Sequence, residues 1–431
     1  MNSLSRRSLL RGAAALAAPA AQPQGVSSLK TIRIAVIGVG NRGTAVLRAS
    51  LLAGGVEVPA LCDILPEAAN RGVDLVQTQL GARPATYTQG PTDYKRLLQR
   101  DDIDAVFLTT PAVWHGPMAI DSLRAGKWVF SEVPACHSLD EGWQLVRAAE
   151  ESGAGYFLAE NYCFTRHNLM ALNMVDHGVF GALTFAECGY IHNTRDLQFN
   201  PDGSLTWRGE ENSDPKFRGN TYPTHSLGPA GMALGINYGD RFTTCVSMMT
   251  PAHGFHEYAA RRFGAAAAPA RINTWNGDNT LTMIRTESGA VVYLRFDNAS
   301  PRPHRMGFYT LQGTKASFDD LAGIYIDYQS KDWEPCSEYY ARFDHPYWLR
   351  NSGEARNASH SGGDYFTVQH FFRSIRDRRM PGIDVYDAVT WSALTPLSAM
   401  SIAQNSAPQR FPDYTRGKWK TRKRFDWAAH G

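Results

Sequence analysis

His225 is the side chain in this sequence best suited to moving a proton. It closes the segment Asn220-Thr221-Tyr222-Pro223-Thr224-His225, which follows a long polar stretch and opens a helix-like run. Imidazole titrates near neutrality, so one group can act as base and then as acid. A second chemistry is written near the start of the chain. Gly38-Val39-Gly40-Asn41-Arg42-Gly43 has the G-x-G-x-x-G spacing. The first glycine permits a tight turn, the second lets backbone approach a pyrophosphate, and the third lets a helix meet a strand. Asp63 follows Gly43 by twenty residues, where a carboxylate accepts the ribose 2′-OH and repels a 2′-phosphate. Together they predict NAD in preference to NADP.

These residues need elements to hold them. Residues 31–37 are a β-branched run leading straight into the glycines, and a helical pattern follows over 44–52. Residues 56–62 read as a second strand, and 104–108, 127–130 and 155–158 as three more. Helical segments are predicted over 93–100, 118–125 and 139–152. The alternation predicts a Rossmann-type α/β domain, in which ligands bind beyond the C-terminal ends of parallel strands. Three groups fall there: residues 109–115, Glu132-Val133-Pro134 and Glu160-Asn161-Tyr162.

Beyond Tyr162 the pattern changes. Residues 168–177 read as an amphipathic helix and 183–190 as a strand. Residues 193–220 are polar without a period, and so long a connection is functional or disordered. Strands return over 281–286, 290–296 and 307–312. Helices are expected over 365–376 and, as one run, over 386–403, with an exposed loop at 264–270. The second domain is predicted to be α+β on a large, mostly antiparallel open sheet. The expected division is a leader and linker over 1–29, the nucleotide domain over 30–160, a substrate domain over 161–385, and a C-terminal helix and tail over 386–431 that packs back on the body.

Composition narrows the class. The chain has 431 residues, 43% hydrophobic and 20% charged, which excludes global disorder and predicts more than one domain. The net charge of +3 comes from Arg6, Arg7 and Arg11, with no acidic residue before Lys30. The rest is balanced, so nothing points to a nucleic-acid partner. The same arginines precede a short apolar stretch ending in Ala18-Pro19-Ala20, as in an export signal. Ser5-Arg6-Arg7-Ser8-Leu9-Leu10 resembles a twin-arginine signal. The expectation is export to the periplasm or beyond by the twin-arginine machinery. The stretch is too short for stable membrane insertion. Six scattered cysteines and the lack of C-x-x-C or H-E-x-x-H give no support for a metal. Arg416, Lys418, Lys420, Arg422, Lys423 and Arg424 are expected to form a solvated tail or an ion-paired edge.

In combination the segments resemble the Gfo/Idh/MocA oxidoreductases. More closely, they resemble the NAD-dependent glycosidases of glycoside hydrolase family 109, whose known members are α-N-acetylgalactosaminidases. The resemblance rests on the glycine motif, Trp114-His115-Gly116-Pro117-Met118-Ala119, Ser131-Glu132-Val133-Pro134-Ala135, Glu187-Cys188-Gly189-Tyr190-Ile191-His192, residues 219–229, Pro301-Arg302-Pro303, Asp384-Val385-Tyr386-Asp387-Ala388 and Phe411-Pro412-Asp413. It implies that NAD meets Gly38, Gly40, Asn41, Arg42, Gly43, Asp63, Trp114, His115, Glu132, Val133, Asn161 and Tyr222. It implies that Tyr190, Arg208, Tyr222, Pro223, Thr224 and His225 face a sugar, with His225, Tyr222 and Tyr190 catalytic. His304 stands where the family has a tyrosine that contacts substrate. Ala112-Val113 replaces the family's Trp-Glu. Val133 replaces the lysine with which the wider family moves the hydroxyl proton, which weakens a reading as an ordinary alcohol dehydrogenase.

The activity implied is hydrolysis of N-acetylgalactosaminides or related glycosides with tightly held NAD. A transient oxidation at C3 acidifies the C2 proton, the C1 aglycone is eliminated, water adds and the ketone is reduced again. Two other readings stand beside it: a net NAD-dependent sugar or polyol dehydrogenase, and a non-catalytic periplasmic sugar-binding module. By analogy with the open sheet of the wider family, a homo-oligomer is expected.

Overall fold

Near-continuous apolar runs in the first third build a sheet buried on both faces, as parallel strands require. The computed structural model describes residues 31–303, 305–355 and 360–430. The expected leader over 1–29 and the candidate His304 lie outside the described residues. The first sheet contains β1 (Ile32–Ile37), β2 (Val56–Cys62), β3 (Ala85–Tyr87), β4 (Ala105–Leu108), β5 (Trp128–Ser131) and β6 (Tyr156–Leu158). All pairings are parallel and the order is β3-β2-β1-β4-β5-β6. The order reverses between β1 and β4, which opens a ligand crevice beyond their C-terminal ends. The helices α1 (Asn41–Ala53), α2 (Pro66–Leu80), α3 (Tyr94–Leu98), α4 (His115–Arg124) and α5 (Leu139–Ser152) link these strands.

A helix, α6 (Arg166–Asp176), leads to the second sheet. Its strands are β7 (Leu183–Ile191), β8 (Phe242–Met249), β9 (Asn279–Thr286), β10 (Val291–Asp297), β11 (Arg305–Gly313), β12 (Ala316–Asp319), β13 (Gly323–Ile326) and β14 (Gln409–Arg410). The order is β13-β12-β11-β7-β10-β9-β8-β14, antiparallel except for the parallel pair β7–β10. One face is buried through residues such as Cys188, Val292, Leu294 and Leu311. The other exposes Met248 on β8 and Met283 on β9.

Between β7 and β10 lie α7 (Trp207–Ser213), α8 (Thr224–Leu234) and α9 (His253–Phe263). The polar stretch over 193–220 thus contains a helix, and its buried polar residues include Gln198, Asn212 and Asn220. Next come α10 (Pro346–Ala355) and α11 (Gly363–Asp377), which packs on α1. The single helix expected over 386–403 is two, α12 (Val385–Ser392) and α13 (Leu394–Ala403), parted at Ala393. Asp384 caps α12, accepting from Tyr386 N at 2.9 Å and Asp387 N at 3.4 Å. Helix α12 packs on α5 and β6, while α13 packs on β8. The break lets the chain cover both sheets. The basic segment is an ion-paired edge: Arg416 and Lys418 meet Glu150, Arg422 meets Asp384, and Arg424 meets Asp176. Among the described residues no helix is long and apolar enough to cross a membrane, and no group of three or more His, Cys, Asp or Glu is arranged to hold a metal ion.

Candidate active site

The glycine turn is built by close approach. Gly38 has φ +91°, and a Cβ on Gly43 would stand 1.9 Å from the Gly38 carbonyl oxygen. Only glycine at both positions lets α1 start tight against the end of β1. Gly40 has no atom within 4 Å of where its Cβ would be, so backbone there is open to a ligand. Asp63 ties the turn down: its Oδ2 accepts from Val39 N at 2.6 Å and its Oδ1 from Leu65 N at 2.9 Å. Asn41 is exposed at the start of α1.

Arg42 is gripped from two sides. Its Nε donates to Glu132 at 2.7 Å, while Nη1 and Nη2 donate to the two oxygens of Asp364 at 2.8 and 2.9 Å. Asp364, on α11, also accepts from Asn161 Nδ2 at 2.8 Å and lies 2.8 Å from His360 Nδ1. Burial alone would raise the Asp364 carboxyl. The hydrogen bonds from His360 and Arg42, with the Arg42 charge, hold it far below the usual carboxylate range. Arg42 is raised in turn, because the Glu132 and Asp364 charges outweigh the opposing effect of burial. Three sequence-predicted cofactor residues, Arg42, Glu132 and Asn161, therefore converge. Asp364, which joins two of them, carries no local signal, since it lies 322 positions from Arg42.

Val133 is buried. His115 is buried with its ring nitrogens 2.9 Å from the Pro134 and Thr110 carbonyl oxygens. Its ring thus braces the Glu-Val-Pro loop. Trp114 is 37% exposed at the rim.

The three candidate catalytic rings meet. The Tyr190 and Tyr222 centroids are 4.8 Å apart, Tyr222 and His225 4.9 Å, and Tyr190 and His225 5.6 Å. Tyr190 comes from the end of β7, and Tyr222 and His225 from the entry to α8. Pro223 and Thr224 are buried between them. The Tyr190 hydroxyl lies 2.7 Å from His192 Nδ1, and His225 Nδ1 lies 2.7 Å from Glu160 Oε1. Glu160 has no solvent exposure. Burial pushes both tyrosine hydroxyls well above their ordinary range, and the Glu160 charge adds to it.

Arg208, exposed on α7, has its guanidinium 4.1 Å from the Trp207 ring centroid, and its charge acts on Tyr190. Beside it, burial pushes the Glu211 carboxyl up to about 7, with Arg208 opposing. Glu211 Oε1 is 3.7 Å from His137 Nε2, and burial, with the nearby His115, lowers His137 to about 4. His192, Glu160, Glu211 and Asp364 are the site's residues that motif spacing did not single out for a role.

Residues 164–421 match the model of the glycosyl hydrolase 109 C-terminal domain, and residues 32–160 match that of the oxidoreductase family NAD-binding Rossmann fold. The chain belongs to glycosyl hydrolase family 109. A family 109 protein of Stenotrophomonas maltophilia is 37% identical over 98% of both chains. One of Solibacter usitatus is 36% identical over 98% of this chain and 100% of its own. A levoglucosan dehydrogenase solved with NADH and L-sorbose covers 89% of this chain with a TM-score of 0.69 at 17% identity. A myo-inositol 2-dehydrogenase of Lactobacillus plantarum gives 0.64 at 16%. These likenesses show that this family 109 chain shares the fold of NAD-dependent dehydrogenases, with an NAD-binding Rossmann domain followed by a mostly antiparallel sheet.

Proposed function

We propose that this family 109 protein hydrolyses glycosides, with N-acetylgalactosaminides as the first class to test, by transient oxidation of the sugar. The observation that carries the reading is the cluster of Tyr190, Tyr222 and His225 beside the cofactor crevice, joined to a Glu-Val-Pro loop that has no proton-moving lysine. NAD fits the residues present. The turn is open at Gly40, Asp63 lies at the end of β2, and the buried Asn161 Oδ1 has no partner among the described residues. Gly38, Gly40, Asn41, Gly43 and Asp63 would hold its phosphates and ribose, with Arg42, Trp114, Glu132, Val133, Asn161 and Tyr222 around the rest.

When bound, NAD supplies reversible hydride transfer at a sugar carbinol. The chain's own groups then do the proton work. A ketone at C3 acidifies C2–H, and His225 takes that proton. To Tyr190, hydrogen-bonded to His192, and Tyr222 we assign the proton transfers at the departing C1 oxygen and at the C3 oxygen. Arg208, at the rim, and the buried Pro223 and Thr224 are assigned to the sugar pocket, and the family resemblance adds His304 to that set. No net redox change results, so the cofactor need never leave.

The test is turnover of p-nitrophenyl α- and β-glycosides in D₂O without added NAD. Release of nitrophenol with deuterium at C2 is expected. His225→Gln is expected to lower kcat at least about 100-fold while the purified protein keeps its NAD. Hydrolysis without C2 exchange would overturn the mechanism. Net oxidation requiring added NAD would favour a dehydrogenase. The twin-arginine leader belongs to the same proposal, because it delivers a folded, cofactor-loaded chain. Changing Arg6 and Arg7 to Lys is expected to abolish export, read by cell fractionation. Self-association through the open sheet face at Met248 and Met283 is proposed, and sedimentation of the full chain reads it.

A further inference from the structure

Glu160 stands just past β6 with no solvent exposure. Its Oε1 lies 2.7 Å from His225 Nδ1 and accepts from Tyr162 N at 3.1 Å, while its Oε2 has no partner among the described residues. The Tyr162 ring lies along the imidazole at 4.9 Å and 28°, which fixes the ring plane. Gly228, three residues on from His225 in α8, admits the carboxylate. A Cβ there would stand 2.8 Å from Glu160 Cγ and 2.8 Å from Cys163 Sγ. The helix is thus cut away where the acid meets the base. A buried carboxylate with one unsatisfied oxygen is costly, and a core built for stability alone favours an apolar side chain there.

We propose that Glu160 is the positioning residue of the proton transfer: it holds His225 with the proton on Nδ1, leaves Nε2 as the acceptor, and balances the charge formed when Nε2 is protonated. In that step the C2–H bond breaks, its electron pair enters the C2–C3 bond as the C3 carbonyl becomes an enolate, and the proton ends on Nε2. Oε1 already receives the Tyr162 N–H, an obligatory donor, so it is built to accept. This rests on the reading of His225 as the C2 base.

The test uses the full NAD-loaded chain carrying ¹⁵N-labelled histidine, with the His225 ring assigned by the signals lost in His225→Gln. A protonated Nδ1 and a bare Nε2 are expected in the wild type. Glu160→Gln keeps the volume and removes the charge. It is expected to mix the two tautomers and lower kcat about 100-fold, with KM within about twofold on whichever nitrophenyl glycoside is cleaved. Gly228→Ala, which pushes the carboxylate away without removing it, is expected to fall between. A wild-type ring protonated on Nε2 overturns the proposal. So does Glu160→Gln with unchanged kcat while His225→Gln is inactive. If His225→Gln itself stays active, the base assignment has failed, and this proposal with it. Should Glu160→Gln not fold, the wild-type tautomer decides.

Discussion

Burial keeps His137 neutral at pH 7 and holds the Glu211 carboxyl protonated below about 7, so at 3.7 Å the two form no ion pair. A carboxyl whose folded pKa of about 7 exceeds its ordinary 4.5 contributes stability that is present at low pH. That stability is lost as pH rises through about 7. Glu211→Gln is therefore expected to match the wild type in urea unfolding near pH 4. Above neutrality it should gain on the wild type by on the order of 2–3 kcal/mol. Identical pH dependence in the two proteins would show that Glu211 is not held uncharged. Tyr190 offers a second residue-scale test. Its hydroxyl has one polar partner in view, His192 at 2.7 Å. Tyr190→Phe is expected to lower kcat at least about tenfold and leave NAD content unchanged. An unchanged kcat would remove Tyr190 from the proton relay.

At the scale of elements, the glycine turn is the point of least tolerance. A methyl group on Gly43 would meet the Gly38 carbonyl oxygen at 1.9 Å and Thr109 Oγ1 at 2.8 Å. The oxygen belongs to backbone and cannot swing aside, so Gly43→Ala must part α1 from β1. A loss of about 3 kcal/mol or more and of bound NAD is expected, read by thermal melting and by absorbance of the dialysed protein. This part of the fold was legible. The β-branched run of β1, the glycine spacing and Asp63 are local signals, and they named the crevice and its occupant. The rest needed contacts that no period records. Helix α13 parts from α12 at Ala393 because one covers β8 while the other lies on α5 and β6. The sequence 386–403 reads as one helix because both pieces are apolar. Residues 193–220 looked featureless because their buried groups are polar, Gln198 and Asn212 among them. Glu160 was visible as a residue past β6 and His225 as a candidate base, but their pairing across 65 positions was not.

Across the whole molecule, the Arg42–Asp364 pair joins the first helix to one near the end of the chain. Removing one partner of a buried pair costs about 3–5 kcal/mol where it leaves the other charge uncompensated. Arg42 keeps Glu132, so Asp364→Asn is expected to cost less than that and to release NAD on dialysis, even though Asp364 is not among the cofactor residues that the family resemblance implies. Full retention of NAD would show that Glu132 alone holds Arg42. The same pair sets a schedule. Asp364 is made 322 residues after Arg42, which at ~5–20 residues per second is roughly 15–65 s of translation. Until then the emerging chain has its glycine turn but not the clamp on it. If Asp364 is needed to keep the cofactor, loading is expected only in the last moments of synthesis or after release from the ribosome, and a chain cut short before α11 is expected to present a cradle that lets go of what it catches.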